Sequence, residues 1–123
     1  MTEKKKFLRL ESLVSYVPTE SDGDEIFIKY KDEKVAPSEG KYMKVSREPV
    51  PLDVEIEVGN NEKWIELELW DYDLFSMNDS IGKFRLLVDE TGENFSTELA
   101  RNEGSEAQYV LAWSVIERSK PRT

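Results

Sequence analysis

The sequence predicts an all-β domain, an antiparallel sandwich or barrel of seven or eight strands. Apolar and polar residues alternate with period two in one short segment after another. The breaks between these segments are rich in Gly, Pro, Asn, Asp and Ser, the residues of tight turns. No segment reads as a long amphipathic helix, so nothing competes with the strand pattern.

The first element is FLRLESLVSYV (7–17). The MTEKKK before it superficially resembles the start of a signal peptide, but Arg9 and Glu11 interrupt the apolar stretch and no small-residue cleavage site follows. We read a mature strand preceded by a flexible segment over 1–6. DEIFIKYK (24–31) sets Ile26, Ile28 and Tyr30 on one face, and GKYMKVS (40–46) and LDVEIEV (52–58) follow as further strands. In KWIELELWD (63–71) Ile65, Leu67 and Leu69 alternate with Glu66 and Glu68, the pattern of a half-buried strand. IGKFRLLV (81–88) is the next strand, and NFSTELA (94–100) fits either an eighth strand or one turn of helix. AQYVLAWSVIE (107–117) is apolar on both faces, with Tyr109, Leu111, Trp113 and Val115 on one and Val110, Ala112 and Ile116 on the other. Such a strand is either central and roofed by a loop or a surface for a partner. The domain is expected over 7–118, with 119–123 as a tail.

At 123 residues the chain supports one core. A net charge of −9 argues against nucleic acid and against passive binding to an anionic membrane. There is no cysteine and no histidine, which removes thiolate chemistry, the commonest general base and the commonest transition-metal ligand. What remains for a metal is oxygen, which suits calcium or magnesium. No window approaches the roughly 20 apolar residues of a membrane span, so the expected compartment is the cytoplasm, with attachment at the membrane periphery if an anionic surface is bound.

The acids are placed by parity. Continuing the alternation of Ile65, Leu67 and Leu69 brings Asp71 and Asp73 to the core-facing side, at the mouth of the core. Walking back by twos from Ile26 reaches Asp24 and then Asp22. If the two strand ends lie side by side, these residues join Asp79 in a cluster of carboxylates that repel one another or recruit a cation. An EF-hand is excluded, because Phe75 stands at the fifth position and no Glu at the twelfth.

The stretch WDYDLFSMNDSIG (70–82), preceded by an apolar strand, resembles the third calcium-binding loop of the C2-domain family, a strand ending in W-D-x-D followed by N-D-x-I-G. Weaker likeness extends outward: FLRLESLVSYV is similar to the family's opening strand, DEIFIKYK to its S-D-P-Y-V-K strand and REPVPLDVEIEV to its N-P-V-W-N-E segment. The resemblance implies an eight-stranded antiparallel Greek-key β-sandwich whose loops at one end bind calcium and, often, phospholipid. It implies Asp71, Asp73, Asp79, Asp24 and Asp22 as calcium ligands, and Leu74, Phe75 and Met77 as a tip that meets a membrane or partner. Pro18 stands where the family usually has its first-loop Asp, leaving Glu20 or Asp22 as substitutes. Some members carry a lipid-headgroup patch where this chain has Lys29, Lys31, Lys41 and Lys44, although alternation divides Lys41 from Lys44.

The expected function is a non-enzymatic, calcium-dependent binding module for an anionic phospholipid membrane or a protein, without a small-molecule substrate. The alternative is a calcium-independent interaction subunit of a larger assembly. An acid–base enzyme finds little support, because Asp71 and Asp73 lie one pleat apart on one strand rather than across a cleft.

Overall fold

The computed structural model describes residues 2–17, 23–73, 77–104 and 106–121. Its strands in chain order are β1 (Thr2–Ser15), β2 (Asp24–Tyr30), β3 (Glu33–Ala36), β4 (Met43–Val45), β5 (Val50–Val58), β6 (Trp64–Asp71), β7 (Asp79–Leu87), β8 (Gly92–Glu98), β9 (Ala100–Arg101) and β10 (Tyr109–Pro121). They form two antiparallel sheets, β5-β1-β10-β8 and β3-β2-β6-β7-β9, with β4 also paired to β2. Consecutive strands repeatedly change sheet, at β1 to β2, β4 to β5, β5 to β6, β7 to β8, β8 to β9 and β9 to β10, which gives the crossing connections of a Greek key.

Alternation explains the layers. Along β5 the even-numbered residues from Leu52 to Val58 are buried while Asp53, Glu55 and Glu57 face solvent. Leu67 on β6 and Phe84 on β7 face each other in register, both fully buried. From the other sheet Leu8, Leu10, Leu13 and Leu111 close the core. On β1 the buried parity changes between Leu10 and Leu13, and a bulge at Glu11 absorbs the extra residue.

All eight expected segments are strands, including 94–100, whose first five residues belong to β8. Two more were not expected. β3 is four residues long and follows a turn in which Lys31 and Asp32 have φ of 50° and 64°. Hairpin turns of that shape usually announce themselves with Asn-Gly or Asp-Gly, and Lys-Asp does not. β9 is two residues long and rests on Gly82, where an added Cβ would lie 2.5 Å from the Ala100 carbonyl oxygen and 2.8 Å from Arg101 Cα. Only glycine lets the two backbones approach that closely.

Pairing also passes the expected domain boundaries. Thr2 pairs with Pro121, so residues 2–6 and 119–121 continue β1 and β10 where flexible ends were expected. β10 is a central strand, as its two apolar faces suggested. Its outer residues Val110, Ala112 and Ile116 are half-buried. Beside Ile116, Arg118 reaches across β1 to make two 2.6 Å bonds to Glu55, its guanidinium 5.4 Å from the Phe7 ring. A charged strap with a long aliphatic stem therefore partly covers this face. Ile116→Asp should leave a folded domain less stable by about 1 kcal/mol, roughly half of what a fully buried side chain would cost. Urea denaturation checks this, and an unfolded variant would place Ile116 in the core.

Candidate functional site

Three strand ends meet at one end of the second sheet. β2 starts at Asp24, β6 finishes at Asp71 and β7 starts at Asp79. Register aligns them: Ile26 opposes Asp71, and Asp71 opposes Asp79. Directly opposed residues share a face, so Asp71 and Asp79 leave the sheet on the same side as the buried Ile26. The Tyr72 amide donates to the Glu25 carbonyl at 2.8 Å, extending the β2–β6 pairing one residue toward Asp73 and Asp24. For the backbone of Asp24 and Asp71, the register matches the parity expectation.

The side chains fare differently. Asp24 is 6% exposed, whereas Asp71, Asp73 and Asp79 are exposed at the rim. The Tyr109 hydroxyl, on the opposite sheet, donates to Asp24 Oδ2 at 2.6 Å. Burial, then this hydrogen bond, pushes the Tyr109 phenol far above its ordinary range, and the Asp71 charge adds to the effect. The Asp73 amide donates to Asn78 Oδ1 at 2.8 Å, so Asn78 bridges the base of the turn. Among the described residues, no group of three or more acidic side chains is drawn together to hold a metal ion. The donor set is all carboxylate and suits a hard cation, and register brings three of its strands together. Asp22, Leu74 and Phe75 lie outside the described residues.

Exposed apolar side chains also stand at this end, while Trp64 and Leu87 are exposed at the other end of β6 and β7. Tyr16, Val17, Tyr42 and Met77 are exposed at the acidic end, Met77 at 86%. Tyr42 stacks on Tyr72 with ring centroids 5.0 Å apart, beside Asp71 and Asp73. Tyr16 follows the end of β1, its amide bonded to the Gln108 carbonyl next to Tyr109. Of the basic residues, Lys29 lies over the Trp70 ring at 4.5 Å and Lys31 over Tyr30 at 5.1 Å. Lys41 and Lys44 are exposed.

The arrangement of two sheets with these loops at one end can be set beside known structures. A solved C2 domain of plant Extended Synaptotagmin 1 superposes with a TM-score of 0.58 over 100% of this chain and 98% of that one, at 15% identity. The chain has a C2-like fold. No family model and no curated protein matches the sequence. The likeness thus concerns the path of the backbone, and the C2-like domain's acids must be judged on their own geometry. Tyr109 is the residue of this end that the sequence left unmarked. Alternation puts it on the core face, but its bond to Asp24 joins residues 85 positions apart and leaves no local pattern.

Proposed function

We propose that this C2-like domain is a non-enzymatic binding module that works through its acidic end, with calcium engaging Asp71, Asp73 and Asp79, assisted by Asp24 and Asp22. The observation that carries the reading is the register that sets Asp71 opposite Asp79 and level with Ile26, one pleat from Asp24. Carboxylates from adjacent strands repel one another at this end, and a dication would relieve the repulsion. It would also turn the local field toward attraction for an anionic surface. The exposed Met77, Tyr16 and Val17 then supply apolar contact, with Leu74 and Phe75 completing the tip.

Thermal unfolding in chelator and in calcium tests the cation. At ten times its dissociation constant, calcium adds about 1.4 kcal/mol of stability. Asp71→Asn and Asp73→Asn abolish the gain. Coincident melting curves in chelator and millimolar calcium would end the calcium reading. Sedimentation with phosphatidylserine vesicles tests the surface. The wild type pellets only with calcium, and Leu74→Ser/Phe75→Ser stays in the supernatant while still binding the ion. Calcium binding without any vesicle binding leaves a protein as the partner.

A second reading has its own observation. Asp24 already accepts a short hydrogen bond from Tyr109, and no three acids converge among the described residues. This favours a calcium-independent interaction subunit, in which the same end docks on a protein and chelator changes nothing.

A further inference from the structure

The strand that flanks β7 leaves it early. β9 sets Arg101 opposite Gly82 and Ala100 opposite Lys83. One residue before Ala100, the Leu99 amide donates to the Tyr109 carbonyl at 2.9 Å, and Glu98 pairs with Val110 on β10. The chain that would have continued along β7 has crossed to the other sheet. Among the described residues, nothing pairs with the outer edge of β7 from Phe84 to Leu87. The Val88 amide donates to the Lys63 carbonyl at 2.8 Å, on the β6 side. Backbone groups alternate between the two edges of a strand, so Leu86 and Phe84 also face β6. The N–H and C=O of Arg85 and Leu87, both exposed residues, therefore face the open edge.

Other edges are blunted in ways that discourage added strands. β5 carries Pro51 and Asp53 at a φ of 51°, β8 carries Asn94 at 62°, and β3 is four residues long. The open part of β7 has neither a proline nor a left-handed residue. Its outward face is apolar with one cation. Trp64 and Leu87 oppose each other there, 45% and 40% exposed. Arg85 stands opposite Glu66, yet Glu66 Oε1 lies 3.0 Å from Lys83 Nζ, and the Arg85 guanidinium rests over the Trp64 ring.

We propose that this edge docks an extended peptide of another protein, which adds as a strand beside Arg85–Leu87 with an apolar side chain against Leu87 and a carboxylate against Arg85. Such a strand answers the backbone groups of both residues, covers Trp64 and Leu87, and gives Arg85 the partner that Glu66 does not. A second copy of the chain fits less well, because Lys83, Arg85 and Leu87 offer no acid for Arg85 to meet. The inference is independent of calcium and of the acidic end.

Amide hydrogen exchange by NMR tests it, with the synthetic peptide acetyl-Thr-Ile-Val-Glu-Val-Thr-amide as probe. Added antiparallel, its Ile meets Leu87 and its Glu meets Arg85. In the free domain the Arg85 and Leu87 amides exchange fast and those of Phe84 and Leu86 slowly, and saturating peptide slows the first pair at least about tenfold. Lys in place of the peptide's Glu weakens binding about fivefold, and Arg85→Glu reverses the preference between the two peptides. N-methylation of the Glu amide, which removes its donor to the Arg85 carbonyl, abolishes binding. Equal binding of the methylated peptide, or no binding at millimolar peptide, overturns the proposal. So do Arg85 and Leu87 amides that are already slow in the free domain, or that slow only as protein concentration rises, which would make a second copy the occupant. Should Arg85→Glu fail to fold, the peptide variants decide the matter on the wild type.

Discussion

Phe84→Ala should cost about 3–5 kcal/mol, the range for emptying a large aromatic site in a well-packed core. Phe84 is fully buried on β7, opposite the equally buried Leu67, among side chains of both sheets. The loss has two parts, the transfer energy of the removed ring and the cavity that the rigid sheets cannot close. Since a domain of this size is stable by only about 5–15 kcal/mol, the variant should lie close to its unfolding threshold. Arg85→Ala is the matched control. Arg85 is exposed on the next position and stacks over Trp64 at 4.6 Å, a contact that contributes about 0.5–1 kcal/mol. Urea denaturation compares the two, and near-equal losses would mean that β7 presents its faces the other way round.

Above pH about 10 the domain should lose stability through Tyr109 at about 1.4 kcal/mol per pH unit. Burial and the Asp24 hydrogen bond raise this phenol above its ordinary value of 10.0. Just above that value the unfolded chain has released the proton and the folded domain still holds it. The unfolded state then binds fewer protons, so stability falls as pH rises. Below pH about 10 both states are protonated and the contribution is complete and flat. Over two units the decline reaches roughly 2.7 kcal/mol. Tyr109→Phe isolates it: the variant starts less stable, by about 1.5–3 kcal/mol for a hydrogen bond to a charged acceptor, and the gap narrows as pH climbs. Tyr30 is also raised, first by its burial, but it is present in both proteins and cancels in the comparison. A gap that stays constant from about pH 9 to 12 would show that Tyr109 is not buried against Asp24.

Both expectations turn on inward-facing residues, and inwardness was the property most legible in the chain. Alternation is local, so Ile65, Leu67 and Leu69 announce their face without reference to any other strand. The same locality put Asp71 on the side of Leu69 and Asp24 on the side of Ile26 before their strands were known to be neighbours. Conformations set by close contact stayed hidden. The positive φ angles of Lys31 and Asp32 arise in residues that do not demand them, and the approach of β9 to Gly82 depends on a strand further along the chain. The acidic end shows the division most plainly. Residue order was enough to aim Asp24 at the core, because a pleat has only two sides. That Asp24 meets Tyr109, with the buried Ser15 opposite Tyr109, follows from two sheets closing face to face. Contacts across that interface are set by packing rather than period, and packing exists only once the sandwich has formed.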